Sequence, residues 1–98
     1  MDLLHVATPA EWAEARRTGA VAPPSLATEG FVHCSTRDQL PATLARHFAG
    51  AGELVLLVLD EDALGDLRWE ESRPGQRYPH VYNPIPVAAV TATEIWRP

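Results

Sequence analysis

Histidine, cysteine and serine stand side by side in "GFVHCST", residues 30–36. Those residue types supply a general base, a sulfur nucleophile and a hydroxyl nucleophile, the parts of covalent catalysis. Backbone geometry limits which of them can cooperate. An extended chain sends successive side chains to opposite faces. A strand over 31–35 therefore groups Phe31, His33 and Ser35 on one side, with Val32 and Cys34 on the other. His33 and Cys34 cannot then act as a dyad, and Cys34 packs beside Val32 as a small apolar residue. His33 and Ser35 share a face, and Ser35 and Thr36 abut a helix start whose free N–H groups can hold an anion or a polar ligand. The plainer alternative is a satisfied core histidine followed by a helix cap.

Two more histidines come from other extended segments. His5 sits mid-strand in "LLHVA", and His80 lies in "YPHVYNP", where Tyr78, His80 and Tyr82 share one face. The expectation is that His5, His33 and His80 converge on one cleft. His47 falls beside Leu44 and Phe48 on a helix and is read as bordering the core. Three histidines and a water would suit catalytic zinc, but neither HxH nor HxxxH spacing occurs, so no metal is expected. A serine hydrolase is disfavoured because no GxSxG elbow is present.

The elements that must position these residues follow from punctuation and periodicity. Residues 3–7 read as a strand. Thr8 then caps a helix, with Pro9 at the first helical position and Glu11 closing a capping box. The helix runs to about Arg17, where Gly19 is placed to end it. "AVAPPSLATE" reads as a loop, since paired prolines interrupt regular structure. Leu40, Leu44, His47 and Phe48 share one face of a second helix. Pro41 conflicts with a helix interior and implies either a bend or a shorter helix over 41–49. "ELVLLVLD" is apolar on both faces and predicts a central strand. "DEDALGD" is a turn, "LRWEE" a strand, "SRPGQR" a loop, "YPHVYNPIPV" extended and "VTATEIW" a closing strand. The fold class is α+β, with five or six short strands and two helices early in the chain.

Bulk properties set the outer bounds. The 98 residues make one domain, 1–98, and 46% hydrophobic content fits a globular chain. The longest apolar run, residues 54–59, is far below the about 20 residues a bilayer span needs. No secretory signal is expected from residues 1–5, and one cysteine fits a reducing, cytoplasmic setting. Neither membrane nor nucleic acid is expected as a partner. The net charge is −5, and the eight basic residues, all arginine, are scattered rather than gathered into a face. A small anionic ligand needs only one or two of them.

The blocks "LLHVATPAEWAEA", "EGFVHCSTRDQLPATLARHFAG", "LVLLVLD" and "YPHVYNPIPVAAV" resemble, in order and spacing, the DUF952 family of small proteins of unknown function. The resemblance covers nearly the whole chain. That family in turn resembles the ADP-ribosyltransferase fold, two small, mostly antiparallel sheets split by a nicotinamide-nucleotide cleft. The resemblance implies NAD or ADP-ribose as the ligand. It places His5 at the histidine position of the first core strand and His33 at the second, a pair most similar to the RNA 2′-phosphotransferase branch. His5, His33 and Ser35, with Thr36 beside them, are then expected at ribose or nicotinamide, and His80 and Tyr82 on the opposite wall. His80 or Tyr82 stands where many relatives carry glutamate. Glu70 is a candidate substitute, against its plainer reading as an exposed strand carboxylate. The implied reaction is transfer or hydrolysis at the nicotinamide–ribose carbon, with charge building on the sugar as in glycoside chemistry. The alternatives are a non-enzymatic ligand-binding or protein-interaction module and a His-ligated metal hydrolase.

Overall fold

Local capping chemistry decides how the chain begins. In the computed structural model, which describes residues 2–98, β1 (Leu3–Ala7) runs straight into α1 (Pro9–Thr18). The Thr8 hydroxyl accepts from the Glu11 amide while the Glu11 carboxylate accepts from the Thr8 amide. Gly19 closes the helix at φ 95°, a left-handed conformation that glycine adopts without steric cost. There follow β2 (Ala20–Val21), α2 (Pro24–Thr28), β3 (Val32–His33), β4 (Ser35–Thr36), α3 (Leu40–His47), β5 (Leu54–Leu59), β6 (Leu67–Arg73), β7 (Gln76–Val81), β8 (Ile85–Pro86) and β9 (Val90–Trp96). Single 3-10 turns occupy Glu61–Ala63 and Val87–Ala89.

All strand pairings are antiparallel. A four-stranded sheet has the order β4-β1-β5-β9, a three-stranded sheet the order β3-β7-β6, and β2 pairs with β8. Every residue of β5 is buried, as its uninterrupted apolar run requires. Its alternation divides the core. Val55, Leu57 and Leu59 face an apolar layer containing Ala15, Val21, Val32, Val81 and Ile85, so α1 and the two smaller sheets cover that side. Leu54, Leu56 and Val58 face Leu4, Val6, Leu40 and Leu44, so α3 covers the other. Burial of each such side chain contributes roughly 1.5–3 kcal/mol relative to exposure. No helix among the described residues is long and apolar enough to cross a membrane.

The α+β class and the central strand are as expected, but three helices are present, not two. The proline pair that reads as a loop instead starts α2, because Pro24 occupies its first turn, where a missing N–H goes unused. Ala20 and Val21 pair with Pro86 and Ile85. Pro41 also sits in a first turn, so α3 spans Leu40–His47 instead of 41–49. The single strand expected over 31–35 is two short ones, for a reason that creates the site.

Candidate functional site

The chain changes sheets at Cys34. Just before it, Val32 and His33 pair with Val81 and His80 of β7. Just after it, Ser35 and Thr36 pair with Leu4 and Leu3 of β1. At the crossover the Cys34 amide donates to the Pro79 carbonyl at 3.0 Å. Since β4 is only two residues long, it leaves His5–Ala7 of β1 without a strand partner on that side. A cleft of about 330 Å³ opens there, between the two larger sheets, α3 and the start of α2.

His5 and His33 both line this cleft. His5 is only 6% exposed, and its Nδ1 lies 2.7 Å from the His33 carbonyl oxygen. A carbonyl only accepts, so Nδ1 carries the proton. In the neutral ring, Nε2 is then left with a lone pair. Burial holds the His5 pKa below its usual value, opposed by the bond to the His33 carbonyl and by the nearby Glu11 carboxylate. Nε2 makes no hydrogen bond within the protein, and since no buried side-chain nitrogen or oxygen among the described residues lacks a partner, it is not sealed from solvent. The His33 ring is half-exposed, and its Nε2 donates to Glu29 at 2.5 Å. Ser35 also lines the cleft, its hydroxyl 2.8 Å from that of Thr43.

Three of the residues expected at the site stand elsewhere. Thr36 is outside the lining. Its amide donates to the Gln39 side chain and its hydroxyl accepts from the Gln39 amide, which uses it up as a cap. His80 and Tyr82 also fall outside the lining. The buried His80 ring stacks on Phe31 at 4.0 Å and stands 5.4 Å from the His33 ring. Its Nδ1 donates to Glu70 at 2.8 Å, and the Tyr82 hydroxyl donates to the same oxygen at 2.5 Å. These bonds, Tyr82 first, hold the Glu70 carboxyl below the usual carboxylate range, while Glu70 raises the Tyr82 phenol. Glu70 is thus an organised partner, unlike an ordinary exposed strand carboxylate, yet it lies outside the cleft. The Arg68 guanidinium covers the Tyr82 ring at 4.2 Å.

Cys34 is buried in the core with Val32, and burial pushes its thiol up to about 12. Although Cys34 borders the cleft, so raised a thiol is disfavoured as a thiolate nucleophile.

Of the cleft lining, sequence reasoning expected only His5, His33 and Ser35 as site residues; among those it missed are Glu11, Glu29, Thr43, Arg46 and His47. His47 is exposed at the mouth and does not border the core. The signal for α3 was present, since Thr43, Arg46 and His47 are spaced i, i+3, i+4 and so share one polar face. Glu11 was legible only as a cap. Among the described residues no three His, Cys, Asp or Glu side chains gather as a metal-holding group.

The family described as "Protein of unknown function (DUF952)" matches residues 6–93. The crystal structure of protein CC0527 from Caulobacter crescentus superposes with a TM-score of 0.90 at 36% identity, covering 97% of this chain and 85% of that one. The solution structure of the same protein gives a TM-score of 0.81 at 37% identity, covering 95% and 82%. No curated protein matches the chain.

Proposed function

The chain belongs to the DUF952 family, and from that premise we propose that its cleft binds NAD or a related nucleotide such as ADP-ribose, on an ADP-ribosyltransferase-like fold. One observation carries the reading. Two histidines from different sheets, His5 and His33, are joined by a hydrogen bond and line one open cleft at the split between those sheets. Nε2 of neutral His5 accepts a ribose hydroxyl, and the Ser35–Thr43 hydroxyl pair offers further contacts. His80 and Tyr82 act from behind, holding Phe31 and the His33 ring in place. Thr36 caps the turn that aims Ser35.

The carboxylates favour a reaction at the sugar. Breaking the nicotinamide–ribose bond builds an oxocarbenium-like cation, and fixed negative charge beside it lowers that barrier. Glu11 and Glu29 supply such charge in the cleft, in place of a late-strand glutamate. The chemistry proposed is therefore transfer or hydrolysis at that carbon.

Calorimetric titration with NAD, ADP-ribose and nicotinamide tests the reading. Saturable binding of a nucleotide is expected, with its loss in His33→Ala. At a hundredfold excess over Kd it stabilises the fold by about 2.7 kcal/mol. Absence of binding by all three compounds would refute the proposal and leave an interaction module.

A further inference from the structure

α3 carries two unlike faces. Leu40 and Leu44 are buried in the apolar layer against the four-stranded sheet, whereas Thr43, Arg46 and His47 line the cleft. Arg17, Arg37, Arg68 and Arg97 are each paired with a carboxylate. Arg16, Arg46, Arg73 and Arg77 have no ion-pair partner among the described residues, and of all the arginines Arg46 alone lines the cleft. The cleft's carboxylates are hydrogen-bonded to other partners than Arg46: Glu11 to the Thr8 amide and Glu29 to His33. An open guanidinium in a cleft is a seat for an anion, held locally against the chain's overall charge of −5. The Ser35–Thr43 pair adds a donor, because one hydroxyl proton satisfies its neighbour and the other remains available.

Size narrows the ligand. The cleft volume of about 330 Å³ lies at the low end of the roughly 300–1,000 Å³ typical of ligand sites. That suits one nucleotide half more than an enclosed dinucleotide. We propose that the Thr43–Arg46–His47 face of α3 seats a phosphate, so that the cleft takes a ribose monophosphate unit with its sugar at His5 and His33. This rests on the nucleotide reading above and adds the phosphate and its anchor. Basic residues in a last helical turn also offset the negative end of the helix dipole. That structural role is indifferent to what a ligand carries, which is how the two are separated.

The test measures, by calorimetry, nicotinamide mononucleotide against nicotinamide riboside and AMP against adenosine. The proteins are the parent chain, Arg46→Gln and His47→Gln. Arg46 is exposed, so its replacement leaves the core intact. The parent is expected to prefer the phosphorylated member of the binding pair by about tenfold or more, the factor for one charge-assisted contact. Arg46→Gln brings that ratio near unity without changing riboside or adenosine affinity, and His47→Gln reduces it less. Equal affinities in the parent, or an intact preference in Arg46→Gln, overturn the phosphate seat and leave the sugar reading standing. Failure of all four compounds to bind the parent overturns both.

Discussion

Replacing His5 with leucine separates two things this side chain does: it donates to the His33 carbonyl, and it stays uncharged under burial. At about pH 7.5 only the first matters. Losing the donor leaves a half-buried carbonyl without its partner, about 1 kcal/mol at the lower end of such penalties. At lower pH the second enters. The folded-state pKa is lowered from 6.5, so the unfolded chain takes up a proton first as pH falls. The unfolded state then binds more protons, and stability drops by up to about 1.4 kcal/mol per pH unit until the folded ring also titrates. The carboxylates with lowered pKa, such as Asp66 and Glu70, start from 3.8 and 4.5 and act in a more acidic range. Among the groups with shifted titration, His5 alone therefore begins to act as pH falls through 6.5, above the carboxylate range. His5→Leu lacks this slope, so its deficit against the parent should shrink as pH falls. Urea unfolding followed by tryptophan fluorescence, at steps from about pH 7.5 to 5, reads the difference directly. Parallel stability curves for the two proteins would refute the buried, neutral assignment of His5.

Two further outcomes are checked more simply. Gly19→Ala should destabilise the protein by about 1 kcal/mol in urea. Nothing lies within 4 Å of the added Cβ, so the loss comes from the φ of 95° alone; an unchanged midpoint would contradict that. Cys34, its thiol pushed up to about 12 by burial, should resist thiol reagents in native buffer and react on unfolding. Native labelling at the rate of a free thiol would contradict its placement in the core.

Much of this architecture was written locally. Thr8, Pro9, Glu11 and Gly19 specify α1 through contacts within a few residues, and the apolar run 54–59 could only be a doubly buried strand. What local reasoning lost depends on distant partners. Alternation predicts one strand over 31–35, yet the partners of Val32–His33 and of Ser35–Thr36 lie on different sheets. Paired prolines read as interruption because a proline's tolerance at a helix start shows only once the helix is known. His80 and Tyr82 do share a face, but that face is covered by Phe31 and satisfied by Glu70. Period-two reasoning gives direction and not what waits there. The acidic and basic lining of the cleft was hidden for the same reason. Glu29 and Arg46 are seventeen residues apart in the chain and line one cleft only because it is flanked by α2 and α3.

The crossover at Cys34 has a mechanical consequence. Residues 32–36 are stitched into both larger sheets, and the Cys34 amide is fastened to Pro79. For the three-stranded sheet to swing away from the four-stranded one as a rigid flap, that stitch would have to tear or β4 would have to strip off β1. The nucleotide proposed for the cleft would therefore meet walls already erected during folding, with little of its affinity spent ordering them. A preset mould of this kind would favour one shape of guest over many.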